Sequence, residues 1–357
     1  MHSIQPSRRG ALPPLLLLIL SAVLLSACKP AKRAPSPDRE QAAASLRKTL
    51  GESLTGTKAL FLPPGCLALL SGDQSVRLPS PEESAGAISN PSAFHALNRR
   101  YRFDRVFLLP GASCAPLRDH LLQSPVWVLS RVLPEGYLFA PAMTPAWHPP
   151  DDAAAARLHP DQAERSLWLI GIAENLIAIG HPEEALAMLN LSTCSKEHES
   201  RRIAVLASLE ASCARWNKAL ELSAQALRLD RDNRNATVIH IRALAETGHA
   251  DEALSKARVY ANAAPDAETL FLLARAANAA GDHAEEISAL RRLVAVALRE
   301  HQPAGASLLY LGQALAHDGQ RGEALRALEE AEKAPELSED EKKLIRELRT
   351  HIAPEKE

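Results

Sequence analysis

The residues best suited to covalent chemistry surround Cys114, because a thiolate is a nucleophile and His95 or His120 could act as its base. Cys114 lies in the segment GASCA, residues 111–115. The segment begins like the nucleophile elbow of hydrolases but ends in Ala115, where the sharp turn needs glycine. A single cysteine with histidines elsewhere in a chain is common by chance, so we favour a disulfide or a buried thiol. The sequence therefore predicts no catalytic residue, and an enzyme that uses Cys114 is the weakest functional alternative.

No other motif in the sequence is typical of catalysis or metal binding. The chain has no glycine-rich phosphate loop, no HExxH and no CxxC pair. Among its 13 histidines, those at 181, 249 and 283 fall in turns between expected helices, where polar side chains are solvated. We expect a protein that is not an enzyme and that has no cofactor and no metal site.

The composition predicts a folded protein and gives no sign of a nucleic-acid-binding one. The chain has 357 residues, enough for about two domains, and 46% of them are hydrophobic, which is ample for packed cores. Its 41 basic and 43 acidic residues nearly balance, so no nucleic-acid partner is indicated. The basic excess falls before residue 150 and the acidic excess after it.

The first 28 residues have the pattern of an export signal. Arg8 and Arg9 precede an apolar run from Leu15 to Leu25, which is too short to span a bilayer comfortably because spanning needs ~20 residues. The run ends in LSAC, residues 25–28, which resembles the lipobox of bacterial lipoproteins. The resemblance implies that residues 1–27 are a signal peptide that is removed.

The same resemblance implies that the thiol of Cys28 is diacylated and that its amine usually receives a third chain. Two or three acyl chains anchor a protein stably in a membrane. Position 29 is Lys rather than the Asp that retains many such lipoproteins in the inner membrane, which favours the outer membrane. We expect a lipid-anchored protein of the bacterial cell envelope that faces the periplasm.

Two segments that differ in composition follow the signal, residues 28–56 and residues 57–147. The first segment predicts a lipidated cysteine with a proline-rich tether, followed by a possible amphipathic helix over 38–50. The second predicts a small α/β domain, because short apolar runs bounded by proline and glycine alternate with helix candidates that begin near Asn90 and Cys114. A polar segment rich in alanine and proline, 148–164, is interpreted as a hinge.

Part of the α/β segment resembles the periplasmic tail of membrane glycosyltransferases. The pattern is a tyrosine, an apolar strand, a helix, an SPxW motif and a final strand. It corresponds here to Tyr101, Val106–Pro110, Ser124–Trp127 and Tyr137–Phe139. The resemblance implies a borrowed fold and no transferase activity.

Five related phrases recur after the hinge. GHPEEAL, ARWNKAL, GHADEAL, GDHAEEI and GQRGEAL begin at residues 180, 214, 248, 281 and 319, which are 34, 34, 33 and 38 residues apart. This period resembles that of the tetratricopeptide repeat. The resemblance implies an α-α superhelix of about five units over 165–337, with a capping helix and tail over 338–357, in which Ser338 and Glu341 form a capping box. The predicted fold is therefore mainly α, preceded by the small α/β domain.

The repeat assigns a packing role to its small residues. The positions where the two helices of a unit cross are occupied by Ala173, Ala207, Ala274, Gly312, Ala185, Ala219, Ala253 and Ala324. The glycines at 180, 248, 281 and 319 are expected in the left-handed conformation that ends a first helix. Four positions that are normally apolar in the repeat hold polar residues here, namely Glu210, Ser223, His240 and Glu286. The spacing between the last two phrases is four residues longer than the period.

The repeat also constrains the cysteines. Export favours disulfides, and the cysteines at 66, 114, 194 and 213 allow three pairings. In the repeat register, Cys194 and Cys213 lie at opposite edges of the helical layer, roughly 18 Å apart, which exceeds the ~7 Å limit for a bond. Cys66–Cys114 is the favoured pair if a disulfide forms.

In the tetratricopeptide family the first helices line a concave, partner-binding groove. The family's groove positions correspond here to Arg201, Asn235, Arg242, Phe271, Arg275, Asn278, Leu309, Gln313 and His317, with Glu174 nearer the start. Arginine forks pair with carboxylates, and asparagine can bond an extended backbone. The family's carboxylate clamp uses Lys and Asn at set positions, and only Asn278 matches it.

The functional hypothesis is a membrane-anchored adaptor that binds a protein or peptide in this groove. It resembles tetratricopeptide lipoproteins that assist envelope assembly, such as pilotins or adaptors for cell-wall hydrolases. The alternative is an envelope carbohydrate-related protein whose α/β domain binds glycan or derives from a glycosyltransferase.

Overall fold

A computed structural model describes residues 59–62, 83, 86–88, 90–111, 114–192, 196–300, 303–334, 337 and 339–352. Several predictions concern residues outside these ranges. They are the signal peptide 1–27, Cys28 with its tether, Cys66, Cys194 and Ser338.

In the first half of the chain, the described residues include a four-stranded sheet and the helices between its strands. The strands are β1 (Ala59–Leu62), β2 (Arg105–Leu108), β3 (Trp127–Leu133) and β4 (Gly136–Pro141), arranged in the order β1-β2-β4-β3. β1 and β2 are parallel, whereas β4 is antiparallel to both β2 and β3. The helices are α1 (Pro91–Tyr101), between β1 and β2, and α2 (Ala115–Leu122), between β2 and β3. The predicted α/β arrangement is confirmed.

Alternating residues of the central strands bury one face of the sheet against these helices. Val106 and Leu108 of β2 share a buried cluster with Phe139 of β4, Phe94 of α1 and Leu117 of α2. The start of α1 is fixed by an N-cap. The side chain of Asn90 accepts a hydrogen bond of 2.9 Å from the backbone N–H of Ser92.

The segment 148–164, which was interpreted as a hinge, contains a further helix, α3 (Asp152–Leu158). Asp151 caps it by accepting a hydrogen bond from the backbone N–H of Ala154 at 2.7 Å. Ala155 is fully buried in a cluster with Val132 of β3 and Trp168 of the next helix. Ala155 is the one buried residue of this alanine-rich helix, so its sequence has no apolar periodicity from which the helix could be predicted.

Five pairs of antiparallel helices follow, and they form the tetratricopeptide-type superhelix that the repeat predicted. The first helices of units 1 to 5 are α4 (Gln162–Ala178), α6 (Lys196–Ser212), α8 (Arg234–Glu246), α10 (Ala267–Ala280) and α12 (Gly305–His317). The second helices are α5 (Pro182–Leu191), α7 (Trp216–Leu229), α9 (Ala250–Ala263), α11 (His283–Arg299) and α13 (Arg321–Glu332). A last helix, α14 (Glu339–Ile352), packs on α13 and buries Ile345.

The small residues at the helix crossings are buried as expected. Ala173, Ala207, Ala185, Ala219, Ala253 and Ala324 are all fully inaccessible to solvent. A Cβ on Gly312 would lie 2.6 Å from Cγ of Leu328, so only glycine allows α12 and α13 to approach this closely. The first helices end at glycines with φ between +74° and +87°, except in unit 2, where Ala214 takes the same conformation at +57°.

The polar residues at core positions find partners. The hydroxyl of buried Ser223 donates to the carbonyl of Leu220 at 3.0 Å and lies 3.1 Å from Nδ1 of His240. Glu286 accepts a hydrogen bond from Nδ2 of Asn278 at 2.9 Å. The longer last gap is partly explained by α11, which has 17 residues where α9 has 14.

The α/β unit is docked on the first repeat. The hydroxyl of buried Tyr137 donates to the carbonyl of Asn175 in α4 at 3.0 Å. Nδ2 of Asn175 donates in return to the carbonyl of Leu133, the last residue of β3, at 2.6 Å, and to that of Pro134, in the turn between β3 and β4, at 3.1 Å. The same turn lies against Gly171, where a Cβ would stand 2.6 Å from Cβ of Pro134. The sheet therefore covers the exposed side of α4 at the beginning of the superhelix.

Candidate partner-binding groove

The first helices form the inner side of the superhelix. α4 packs on α6, α6 on α8 and α8 on α10, whereas the second helices of neighbouring units make no comparable contact within the described residues. In a curved stack the elements that touch from unit to unit lie on the inside of the curve. We call the surface of α4, α6, α8, α10 and α12 the inner face.

The inner face is wider between units 4 and 5 than elsewhere. α10 and α12 pack far less closely than the other neighbouring first helices. The aromatic rings of Phe271 and Tyr310 bridge these two helices, with their centroids 5.4 Å apart. Burial raises the pKa of Tyr310 to about 12, although the neighbouring charge of Arg275 opposes this shift. The Tyr310 hydroxyl makes no hydrogen bond to any described residue.

Two of the predicted groove arginines form ion pairs between neighbouring first helices. Arg201 of α6 binds both carboxylate oxygens of Glu174 in α4, at 3.1 and 2.9 Å. Arg275 of α10 donates to Glu246 of α8 at 2.7 Å. Both arginines therefore already have a carboxylate partner on the neighbouring first helix.

Arg242, on α8, has no such partner. No described carboxylate lies within 4.0 Å of its guanidinium nitrogens, and no described acceptor takes a hydrogen bond from it. The guanidinium carbon lies 5.6 Å from the ring centroid of Trp216, a cation–π contact. Burial, followed by the charge of Arg275, lowers the pKa of Arg242 to about 10. Arg242 is therefore a partly desolvated cation without a counterion in the described part of the chain.

The predicted amide residues have different outcomes. Oδ1 of Asn235 accepts a hydrogen bond of 3.4 Å from Ser208 of α6. Asn278 uses its amide nitrogen for Glu286 of its own unit. Gln313 is partly buried. It is the ninth residue of α12, just as Arg242 is the ninth of α8 and Arg275 the ninth of α10.

Two residues of this surface, Tyr310 and Trp216, were not predicted from the sequence. The family positions selected Leu309 instead of its neighbour, and Leu309 is buried at 2% exposure. Tyr310 precedes Gln313 by three residues, and this spacing on a helix puts both on one side. Helical spacing alone could therefore have found Tyr310, whereas the contact between Trp216 and Arg242 depends on how α7 and α8 pack.

The residues first considered for covalent chemistry lie in the α/β unit, away from the inner face. Cys114 is buried in the core of that unit, and its predicted partner Cys66 lies outside the described residues, so the disulfide stays a prediction. Nε2 of His95 and Nε2 of His120 are 2.9 Å apart. Burial and the adjacent His95 lower the pKa of His120.

The described residues contain no group of three histidine, cysteine, aspartate or glutamate side chains placed to hold a metal ion. They also contain no helix with the length and apolar character that crossing a bilayer requires.

No protein-family model and no curated protein sequence matches this chain. Several solved structures are similar to it. MamA from Desulfovibrio magneticus RS-1, residues 41 to the end, is 19% identical, with 48% of this chain and 93% of that chain covered and a TM-score of 0.40. TTC0263, a thermophilic TPR protein of Thermus thermophilus, is 15% identical, covering 52% and 96% with a TM-score of 0.42. YrrB, described as a TPR protein with an unusual peptide-binding site, is 16% identical, covering 57% and 98% with a TM-score of 0.39.

Proposed function

We propose that this protein is a lipid-anchored adaptor of the bacterial cell envelope that binds an extended segment of a partner protein along its inner face. The observation that carries the proposal is the surface formed by Arg242, Trp216, Phe271 and Tyr310. Among the described residues, the Arg242 guanidinium has no counterion and the Tyr310 hydroxyl has no acceptor. Two aromatic contacts complete the surface, the cation–π contact of Arg242 with Trp216 and the ring contact of Phe271 with Tyr310.

A polypeptide suits this surface better than a compact ligand. The polar groups of the inner face are spread over several helices, from Arg201 on α6 to Gln313 on α12, so a ligand must be long to reach them. An extended backbone offers carbonyl and N–H groups at regular intervals, and its side chains supply apolar and charged contacts between them. Aromatic and arginine side chains are also the types that dominate binding energy at protein interfaces.

The anchor is proposed from the sequence. Acylation of Cys28 would hold the folded part at a membrane surface, and Lys29 favours the outer membrane. Tethering raises the local concentration of a binding surface without any new contact. The mechanism of the adaptor would therefore be to collect a periplasm-exposed partner at the membrane for envelope assembly.

Photocrosslinking in the native envelope tests the groove. A photoreactive phenylalanine analogue is introduced in place of Phe271 or Tyr310 on the inner face. As a control it replaces Val259, which is 71% exposed on the second helix α9. We expect one defined protein to crosslink from the two inner positions and not from the control. The crosslink should disappear when Arg242→Glu and Arg275→Glu are added.

The other outcomes discriminate between functions. A partner captured only from position 259, or one that persists in the double variant, would move the binding surface off the inner face. Recovery of glycan or lipid alone, with no protein, would replace the adaptor by the carbohydrate-related alternative.

The anchor has its own test. Cells are labelled with radioactive palmitate and then fractionated, for the wild type and for Cys28→Ala. We expect label in the wild type only, and loss of the protein from the membrane fraction in the variant. Unlabelled wild-type protein would remove the lipid anchor from the proposal but leave the groove untouched.

A further inference from the structure

We propose that Arg242 and Arg275 form a carboxylate-binding site at the centre of the inner face, so that the partner segment is recognised by an acidic side chain or by its C-terminal carboxylate. This inference rests on the proposed function, because it names the chemistry of the ligand that the same surface binds.

The first step is the state of Arg242. A guanidinium removed from water normally has an anion beside it, because the cost of desolvating a charge is otherwise not offset. The two acidic side chains whose charges act on Arg242 are Glu246 and Glu268. Neither carboxylate forms an ion pair within 4.0 Å of the Arg242 guanidinium. Glu246 instead binds Arg275, and Glu268 binds Arg234 at 2.5 Å. The nearby acids are thus engaged elsewhere, and the position facing Arg242 is left for a ligand.

The second step is the charge of the cluster. Glu246 lies one turn after Arg242 on α8 and binds Arg275 of α10 at 2.7 Å, so both arginines lie near this carboxylate. Glu246 forms its ion pair with Arg275 and not with Arg242. The three groups together carry one positive charge in excess. A single carboxylate matches this excess, whereas a doubly charged phosphate would exceed it. Guanidinium groups also bind carboxylates through two parallel hydrogen bonds, which fixes the orientation of the ligand.

The third step is the surface next to the two arginines. Phe271 stands one helical turn before Arg275 on α10, and its ring contacts Tyr310 across the wider space between α10 and α12. Because Phe271 contacts Tyr310 and lies on the same face of α10 as Arg275, Tyr310 lies in the neighbourhood of the arginines. A carboxylate on the arginines would therefore place an adjacent apolar residue of the partner against the ring pair, with the Tyr310 hydroxyl free to bond its backbone.

A peptide selection tests the site. Purified full-length protein in detergent is exposed to random ten-residue synthetic peptides, made once with C-terminal amides and once with free C-terminal carboxylates. We expect retained amidated peptides to be enriched in Asp and Glu over Asn and Gln if side chains supply the carboxylate. We expect retention from the free-acid set alone if the C-terminus supplies it.

Single variants then locate the effect. For a resynthesised retained peptide, Arg242→Gln should weaken binding at least about tenfold, and Arg242→Lys should weaken it less because the charge stays while the fork is lost. The matched control is Arg291→Gln, which removes an exposed arginine of the second helix α11 that is paired with Glu323. Circular dichroism and thermal unfolding establish that each variant is folded.

Three results would overturn the inference. Retained peptides without acidic enrichment, or peptides whose affinity is the same for wild type and Arg242→Gln, would show a groove that binds without a carboxylate, and the proposed function would stand. Equal weakening by Arg291→Gln would indicate a general electrostatic attraction rather than a site. A library from which nothing is retained would remove the proposed function as well.

Discussion

At the scale of single residues, Arg242 is set apart by what surrounds it. Arg201, Arg234 and Arg275 each bind a carboxylate of a neighbouring first helix. Among the described residues, the charged group of Arg242 instead contacts the face of Trp216. Desolvating a cation that has no anion beside it costs free energy, and a cation–π contact offsets that cost only in part. Such a residue is typical of a surface selected for binding rather than for stability.

This contrast leads to a stability prediction. Arg242→Gln should leave the free energy of unfolding unchanged or raise it by up to ~1 kcal/mol, because the neutral side chain is cheaper to desolvate than the guanidinium. Arg275→Gln should lower it, because Glu246 then loses its partner. Urea unfolding of the two variants measures both effects. A large loss of stability in Arg242→Gln would mean that the arginine has a structural role.

A second prediction concerns pH and His240. Burial, followed by the charge of Lys256, lowers the pKa of His240 from 6.5, although Glu252 opposes the shift. The unfolded chain therefore binds the proton at a higher pH than the folded protein does. The stabilisation is present above about pH 6.5 and is lost as the pH falls below it. The hydroxyl of Ser223, on the adjacent helix α7, lies 3.1 Å from Nδ1 of His240.

We therefore expect the wild type to lose stability between pH 7.5 and 5.5. In His240→Gln we expect that loss to be smaller, because glutamine does not take up a proton in this range. The matched control is His249→Gln, at an exposed turn of the same unit. Thermal unfolding at several pH values measures the difference, and parallel curves for wild type and His240→Gln would contradict the assignment.

The site was only partly predictable at this scale. The repeat period fixes which side of each helix faces inward, so Arg242, Arg275 and Phe271 could be named from the sequence. Ion pairs between neighbouring units join residues such as Glu246 and Arg275, which are 29 positions apart. Whether such groups meet depends on the spacing and rotation of packed helices, and no local pattern encodes either.

At the scale of elements, the turns inside the repeats are governed by one backbone conformation. Gly180, Gly248, Gly281 and Gly319 take it without steric cost, and Ala214 takes it with a Cβ in the left-handed region. The glycines were predicted because the phrase containing them recurs. The sequence also shows that unit 2 has Ala214 where the other units have this glycine. In the structure the turn of unit 2 keeps the same left-handed conformation despite the alanine.

A pair of opposite substitutions tests this point. Ala214→Gly should raise the free energy of unfolding by roughly 0.5–1 kcal/mol, because the strain of the left-handed alanine is removed. Gly248→Ala should lower it by about 1 kcal/mol, since the space around that Cβ is open and only the backbone conformation, at φ +87°, opposes it. Chemical denaturation measures both. Changes of the same sign would show that the turn conformation is not what limits stability.

At the scale of the whole molecule, the α/β unit and the superhelix share a packed contact. The sequence predicted a sheet-bearing unit and a repeat array, but it gave no sign that the turn after β3 would rest on α4. That contact is made by Gly171, Asn175 and Tyr137, residues that lie 34 or more positions apart across the two parts. The helix α3 in the expected hinge packs against the same region, so the connection is an ordered part of the fold.

Gly171→Ala should weaken this contact. The new Cβ would stand 2.6 Å from Cβ of Pro134 and 3.2 Å from its backbone Cα, so the turn must move away, at a cost of about 1–3 kcal/mol. We expect faster limited proteolysis between residues 141 and 162 and a lower unfolding temperature. The control is Gly322→Ala on α13, where nothing lies within 4 Å of the added Cβ. Unchanged proteolysis in Gly171→Ala would show that the α/β unit does not depend on this contact.

The helical stack is covered at both ends. The turn between β3 and β4 rests on α4 at one end, and α14 seals the other with buried Ile345 while Arg346 and Glu347 face solvent. Stacks of repeats with bare ends can polymerise, whereas in the described part of this chain each end of the stack has a covering element. Under the proposed function, each molecule therefore offers one inner face of fixed length. On a membrane, its avidity for a multimeric partner would be set by the lateral density of anchored copies.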